Sequence, residues 1–361
     1  MSLSDRQHMT RALELAARGL NTTSPNPRVG CVIVAADGRL LGEGWHQRAG
    51  EAHAEVNALD AIVGSDSASG ATAYVTLEPC SHQGRTGPCA VALVAAGVAR
   101  VVYAMEDPNP AVAGRGLEIL RDAGIQVDGP LMEEEARNLN PGFIKRMQTG
   151  MPMVRCKLAM SMDGRTAMES GESKWITGPS ARQDVQRLRA RSCAIITGVD
   201  SVLLDDPLLT VRLPDSERQP LRVIVDTHLR VKPSAEIFTQ EGRTIVATCA
   251  KDRIAASGFE CWLLPEKDGR VDLHELLKRL AAEGCNEILL ETGATLAGAF
   301  VRKGFVDEFW VYMAAKFMGS AARPLLGFPI DTMGAALELS IQDVRAVGPD
   351  WRIISIPDPE A

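Results

Sequence analysis

Apolar positions along this chain recur with two different periods, and the periods alternate. Near the N-terminus, Asp5, Arg6, Arg11 and Glu14 interleave with apolar residues at helical spacing. The pattern predicts an amphipathic helix capped by Ser4 and Asp5, running to about Arg18 and stopped by Gly19. Residues 29–35 then form an apolar run of strand length, with Asp37-Gly38 after it as a hairpin turn and 39–45 as the partner strand. A helix over 53–63, a strand over 72–77, a helix over 88–96, a strand over 101–105 and a helix over 116–123 follow, with Gly124 past the last. Strands alternating with helices in this way predict an α/β layer sandwich.

The stretch from Asn140-Pro141-Gly142 to Gly150-Met151-Pro152 reads as a helix end and a connector, which predicts two domains, 1–149 and 150–361. The second half begins with a strand over 154–159, a polar loop over 161–177, a helix over 179–191 and a strand over 194–197. Further strands are expected at 222–226, 244–248, 287–291 and 309–313, and the clearest helices between them at 273–282 and 296–303. A length of 361 residues agrees with two domains. No repeat relates the halves.

Composition narrows the function classes. Aromatic residues make up only 4% of the chain, so the cores must be aliphatic. The apolar stretch 90–99 ends at Arg100 and no run approaches 18 residues, which excludes a membrane-spanning helix, and the N-terminal pattern is not that of a signal peptide. The net charge is -7, with 13 Lys+Arg against 17 Asp+Glu in residues 1–150. A protein that grips a polynucleotide backbone needs a basic excess, so a nucleic-acid partner is excluded and a small-molecule substrate favoured. Eight cysteines without paired spacing indicate a reducing cytoplasm.

The strongest chemical signal is A-H-A-E at 52–55 followed by E-P-C-S-H-Q-G-R-T-G-P-C at 78–89. Zinc-dependent base deaminases carry H-x-E and then P-C-x-x-C. Here His53, Cys80 and Cys89 would hold the metal, and Glu55 would move protons as the catalytic acid–base. Three protein ligands leave the fourth tetrahedral position of zinc for water, whose pKa the metal lowers from about 15.7 towards roughly 7. Glu55, two residues after His53, reaches the same small site. Cys89 follows Pro88, a favoured first helical residue, and a helix N-terminus favours the thiolate. The spacing departs from the short motif, since eight residues separate the cysteines. A closed structural site is the alternative, but it would draw on His82 and leave Glu55 without a role.

Other polar residues are weaker candidates. Asn26 in S-P-N-P, His46 at the end of a strand, Arg85 between the cysteines, and Asp107 and Asn109 in D-P-N-P are candidates for holding the deaminase substrate, each with a plain turn or surface role as its alternative. A substrate phosphate would favour Arg85 or a neighbour. In the second half no G-x-G-x-x-G follows a strand. E-T-G-A-T-L-A-G instead places Gly293 between a strand and a helix starting near Thr295, where backbone N–H groups can meet phosphate. Lys157 interrupts an apolar strand, and D-D-P-L-L-T-V-R puts carboxylates and an arginine around a proline turn.

With these residues collected, the chain resembles, end to end, the bacterial bifunctional riboflavin-biosynthesis deaminase–reductases. The resemblance rests on T-S-P-N-P-R-V-G-C-V-I-V, G-E-A-H-A-E-V, T-L-E-P-C-S-H-Q-G-R-T-G-P-C, D-P-N-P and G-R-G in the first half. In the second it rests on K-L-A-M-S-M-D-G-R-T-A, G-E-S-K-W-I-T, D-D-P-L-L-T-V-R and E-T-G-A-T-L-A-G. The wide cysteine spacing is that family's own; Gly87 stands where the family usually has proline.

The resemblance implies a cytidine-deaminase-like α/β/α sandwich, then a dihydrofolate-reductase-like α/β domain. It implies zinc-dependent deamination of a diamino-pyrimidinone bearing a phosphoribosylamino group, then NADPH-dependent reduction of ribosyl to ribityl. One Zn2+ per chain is implied. By the same likeness Ala159, Trp175, Ser201, Asp205, Thr227, Gly293, Ala294, Thr295, Leu296, Ala297, Gly298 and Ala299 would contact the cofactor. Ser173, Arg189, Leu209, Arg212 and Glu291 would surround the substrate. Arg189 and Arg212 suit phosphate oxygens, and Asp205 and Lys157 are the candidate proton donors. Bifunctional enzymes of this size often self-associate, so a homo-oligomer is expected. Two rival readings are a nucleic-acid or free-base deaminase with an unrelated second domain, and a non-catalytic second half. The acidic balance opposes the first, and the G-E-S-K-W-I-T and G-A-T-L-A-G stretches oppose the second.

Overall fold

In the computed structural model, which describes every residue except 65, 82–86, 111, 215 and 359–361, the chain forms two units, Met1–Met151 and Pro152–Ala361. Helix α1 (Leu3–Ala17) is capped by Ser2 and not by the expected Ser4 and Asp5. Ser2 Oγ accepts from Asp5 N at 3.0 Å, and Asp5 Oδ2 accepts from Ser2 N at 2.6 Å, a reciprocal capping box. Asp5 is thereby drawn inward, where Tyr74 and Arg100 also donate to it.

Strands β1 (Gly30–Val34) and β2 (Leu40–Trp45) form the expected hairpin, with Gly38 at φ 89° in the turn. There follow α2 (Ala54–Asp60), β3 (Thr72–Val75), α3 (Cys89–Ala95), β4 (Arg100–Tyr103), α4 (Arg115–Asp122) and β5 (Gln126–Asp128). The sheet order is β2-β1-β3-β4-β5, with β1 antiparallel to both neighbours and β3, β4 and β5 parallel. The amino end of β1 and the carboxyl ends of β2, β3 and β4 therefore lie at one end of the sheet. His53 therefore follows the carboxyl end of β2, where the chain enters α2, and Cys80 and Cys89 follow that of the middle strand, β3.

Helix–sheet contact is backbone on backbone here. A Cβ on Gly30 would sit 2.0 Å from the Ala12 carbonyl oxygen, and one on Gly44 2.4 Å from that of Ala54. Two further helices, α5 (Glu133–Leu139) and α6 (Pro141–Thr149), close the unit. The second replaces the expected connector, because Pro141 occupies the first helical position, where its missing N–H costs nothing. Asn140 pins this corner, accepting from Arg28 N at 2.8 Å and donating to Arg28 O at 2.9 Å.

The second unit opens with β6 (Met153–Ser161), β7 (Arg165–Ala167), α7 (Pro179–Arg191), β8 (Ala194–Gly198), α8 (Val199–Asp205), β9 (Leu221–Val225) and β10 (Thr244–Thr248). The polar loop expected over 161–177 thus contains a short strand. Next come α9 (Lys251–Ile254), β11 (Cys261–Leu263), the small hairpin β12 (Glu266–Lys267) and β13 (Arg270–Val271), α10 (Leu273–Ala282), β14 (Glu287–Glu291) and α11 (Ala294–Arg302). The chain ends with β15 (Glu308–Ala314), β16 (Arg323–Pro324) and the hairpin β17 (Leu339–Val347) and β18 (Asp350–Pro357).

The nine-stranded order is β11-β10-β9-β8-β14-β6-β15-β18-β17, parallel from β11 to β15 and antiparallel beyond. Strands β8, β10 and β14 are nearly continuous apolar runs because a parallel sheet is covered on both faces. At its amino edge Arg155, almost fully buried, donates to Glu287 and, at 2.5 Å, to Glu308. Both units are α/β. Among the described residues no helix is long and apolar enough to cross a membrane.

Candidate active sites

In the first unit the hairpin and the glycine contacts set α2 down beside β2, so that its N-terminus opens at the convergent end of the sheet. His53 is the N-cap of α2, Cys80 follows β3, and Cys89 is the first residue of α3 with Pro88 as its N-cap. Their ligand atoms all lie within 4.8 Å of one another. Cys80 Sγ is 3.5 Å and Cys89 Sγ 3.3 Å from His53 Nδ1. A tetrahedral zinc with ordinary Zn–S and Zn–N lengths separates sulfur from nitrogen by about 3.6 Å, so the donor set fits that ion.

The two sulfurs differ: the hydrogen bond between them, and then burial, raises the Cys89 thiol above its ordinary range. The Cys89 hydrogen bond, followed by the His53 imidazole, holds the Cys80 thiol well below its ordinary range. The Cys89 backbone N–H also donates to that sulfur at 3.3 Å. The hydrogen bond with Cys80 leads in raising His53. Glu55, in the first turn of α2, is 3% exposed; burial first, and then the Cys80 sulfur, push its carboxyl up to about 7. A carboxyl poised near neutrality can both take and return a proton.

Asn26 and His46, singled out separately, are bonded to each other. His46 Nδ1 lies 3.0 Å from the Ala52 carbonyl oxygen, which fixes the proton there. Its Nε2 then accepts from Asn26 Nδ2 at 3.1 Å. Burial lowers the His46 pKa and keeps this tautomer neutral. The imidazole meets that of His53 edge to face, with centroids 5.3 Å apart. Asp107 and Asn109 lie in the loop after β4, at the same end of the sheet, with Asp107 Oδ1 accepting from Asn109 N at 2.8 Å. Arg85 and His82 lie outside the described residues. Among the described residues, none apart from its chain neighbours has an atom within 4 Å of where a Cβ on Gly87 would stand.

In the second unit a cavity of about 1330 Å³ opens at the carboxyl ends of the parallel strands. Of the residues implicated there, only Ala297 stays out of its wall; it is fully buried in α11, and the turn it belongs to faces the cavity through Gly298 and Ala299. Helix α11 begins at Ala294, one residue before the expected Thr295, with Gly293 as its N-cap. Gly293 N donates to Ser201 Oγ at 3.2 Å, and a Cβ there would meet only that oxygen, at 3.7 Å. Ala294, Thr295 and Leu296 continue the wall from this turn. The open glycine turn at the start of a nine-residue helix suits a cofactor pyrophosphate. Thr227 follows β9, its hydroxyl accepting from Val271 N at 3.3 Å, and Ala159 lies on β6. Trp175 is largely exposed, with the Arg182 guanidinium 4.5 Å from its ring centroid. In the cavity wall the Thr197 hydroxyl is buried and makes no hydrogen bond, a polar group left for a ligand to satisfy. These residues fit a dinucleotide.

At the other part of this wall Arg189 grips Glu291 with both arms, at 2.6 Å and 3.0 Å, and donates to the Thr210 carbonyl at 3.0 Å. Its fork, expected on phosphate, is therefore already engaged by a carboxylate. Burial pulls the Glu291 carboxyl upward, but the Arg189 charge and hydrogen bonds and the Lys157 ammonium, 3.9 Å away, outweigh it, and its pKa is lowered. Burial lowers Lys157. Arg212 donates to Thr210 Oγ1 at 3.2 Å, and its backbone N–H to Gln186. Three cations thus surround one carboxylate, which leaves a net positive site for an anion. Asp205 accepts from Ser173 Oγ at 3.0 Å, and Leu209 holds a left-handed φ of 50° nearby in the chain. Thr210, which accepts from both guanidinium groups, and Gln186, which holds the Arg212 backbone, escaped the sequence reading because neither type carries a motif.

Comparison with known proteins follows the two units. Residues 2–105 match the cytidine and deoxycytidylate deaminase zinc-binding region, and 152–353 the RibD C-terminal domain. The riboflavin biosynthesis protein RibD of Escherichia coli K12 is 51% identical, over 96% of this chain and 98% of its own length. That of Haemophilus influenzae is 44% identical, over 99% and 98%. Among solved structures, Acinetobacter baumannii RibD superposes with a TM-score of 0.92 at 46% identity, covering 98% of this chain and 99% of its own. A Thermotoga maritima diaminohydroxyphosphoribosylaminopyrimidine deaminase/5-amino-6-(5-phosphoribosylamino)uracil reductase gives 0.90 at 31% identity, with the same coverage.

Proposed function

The chain belongs to the RibD family of bifunctional riboflavin-biosynthesis deaminases and reductases, and on that premise we propose how its residues divide the two reactions. The first unit deaminates a diamino-pyrimidinone carrying a phosphoribosylamino group, and the second reduces the ribosyl chain of the product to ribityl. The substrates are those named for the Thermotoga maritima relative. The observation that carries the first half is the gathering of His53 Nδ1, Cys80 and Cys89 with a buried carboxylate, Glu55, close by and left out of the ligand set.

One zinc per chain, bound by those three residues, supplies the Lewis acidity that makes water nucleophilic at neutral pH. Glu55 takes a proton from the water and delivers it to the departing amine. Asn26, aimed by neutral His46, orients the ring, while Asp107 and Asn109 contact it from the loop after β4. Arg85 serves the phosphate.

NADPH supplies hydride in the second unit. The Gly293 turn, Ser201 and Thr227 hold its phosphates and ribose. Arg212 and Lys157 face the substrate phosphate and sugar, with Arg189 tied to Glu291 as a brace. Lys157, its pKa lowered by burial, and Asp205 are the candidates to furnish the proton that accompanies hydride. All eight cysteines are free, which supports placing the enzyme in the cytoplasm, where thiolate ligands stay reduced. The edge strand β17 leaves Leu339, Ile341 and Val344 exposed, which supports self-association through that edge, measurable by light scattering.

The order of steps is tested by supplying the full chain with the diamino substrate and NADPH and following ammonia and NADPH together. Ammonia release should precede and match NADPH oxidation, and the deaminated substrate alone should support oxidation. Reduction of the amino substrate without ammonia release would refute the assignment.

A further inference from the structure

Glu78 lies between β3 and the Cys80 ligand, and it is 4% exposed. No part of the metal or acid–base chemistry uses it. Its carboxylate accepts three backbone bonds: from Asp107 N at 3.1 Å and Gly114 N at 2.9 Å on Oε2, and from Gly116 N at 2.9 Å on Oε1. Its own N–H donates to Met105 O at 2.9 Å. The three donors bracket the loop after β4. Asp107 opens the D-P-N-P stretch, Gly114 is the N-cap of α4 with φ 80°, and Gly116 sits in the first turn of that helix.

Gly114 has no side chain with which to cap α4, and a carboxylate reaching in from the segment after β3 satisfies N–H groups that the helix start leaves unpaired. The approach is close. A Cβ on Gly116 would stand 1.8 Å from the Pro79 carbonyl oxygen, so the G-R-G sequence is what lets the helix start touch the segment between Glu78 and Cys80. Asp107 in turn accepts from Asn109 N, which carries the constraint one step along the loop.

We propose that Glu78 is a positioning residue for deamination: it latches the loop bearing Asp107 and Asn109 to the ligand segment, and so fixes the substrate-recognition groups relative to the metal. The inference rests on the assignment of that loop to the substrate.

Glu78→Gln in the full chain tests it. The amide oxygen can still serve Asp107 and Gly114, but the NH2 then faces the Gly116 N–H, donor against donor. Loss of one charge-assisted bond should raise the deaminase KM about tenfold, with a smaller effect on kcat. Zinc content and reductase activity should stay unchanged. In a double-mutant cycle with Asn109→Ala, the double variant should have a KM near that of Asn109→Ala alone, because both changes act on one loop. Loss of zinc from Glu78→Gln, effects that multiply in the cycle, or an unchanged KM beside a raised one for Asn109→Ala would each overturn the latch. An unchanged KM for Asn109→Ala would remove the substrate loop and the latch with it. Glu78→Asp, which keeps the charge but shortens the reach, should fall between wild type and Glu78→Gln, and it carries the same test where the amide variant does not fold.

Discussion

Replacing Arg189 by Met removes three hydrogen bonds while keeping most of the side-chain volume. Glu291, only 9% exposed, would then have no partner nearer than Lys157 at 3.9 Å, which is beyond hydrogen-bond reach. Breaking one side of a buried pair costs about 3–5 kcal/mol, a large share of the roughly 5–15 kcal/mol that holds a domain together. The cost should depend on pH. In the wild type the folded pKa of Glu291 is depressed, so its contribution is present above the unfolded value of about 4.3 and is lost as pH falls through the folded one. In the variant, burial acts without the guanidinium and raises the folded pKa. Destabilisation should therefore be greatest near pH 8 and shrink towards pH 5, where the carboxyl can take up a proton. Urea unfolding followed by tryptophan fluorescence measures this, because four of the five tryptophans (175, 262, 310 and 351) lie in the second unit. Adding Glu291→Gln should recover part of the loss. An equal cost at both pH values, or one below about 1 kcal/mol, would refute the buried-clamp argument.

Other perturbations separate the two units. Chelation should abolish deamination and leave NADPH binding intact, with zinc restoring activity, as ammonia release and cofactor fluorescence would show. Gly30→Ala places a Cβ 2.0 Å from the Ala12 carbonyl and should destabilise the first unit by at least about 1–3 kcal/mol, read by hydrogen exchange of α1 and β1. Gly298→Val would press on the Gly327 backbone, already 3.0 Å from a Cβ at that position, and should weaken NADPH binding several-fold without touching deamination.

What could be read from residue order alone depended on how narrowly chemistry constrains it. That His53, Cys80 and Cys89 come together was legible because a metal site admits few residue types. Strands β10 and β14 were legible residue for residue, since a sheet covered on both faces needs uninterrupted apolar runs. Helix α6 was not, because Asn140-Pro141-Gly142 breaks a helix that is under way yet starts a new one equally well. The hairpin of β17 and β18 was also missed; Asp343 and Arg345 sit within an edge strand that is mostly exposed, so no period stands out. Pairings such as Asn26 with His46 and Ser173 with Asp205 arise from sheet topology, and nothing local announces them. Arg189 was assigned to phosphate because a guanidinium serves either anion, and only the fold brings Glu291 to it.

Glu55→Gln is the most direct trial of the central claim that a free carboxylate works beside a three-ligand metal. The variant should bind zinc at wild-type stoichiometry, lose deamination by at least about 10²–10⁴-fold, and still reduce the deaminated substrate with NADPH. Undiminished deamination, or loss of the metal along with the activity, would contradict it.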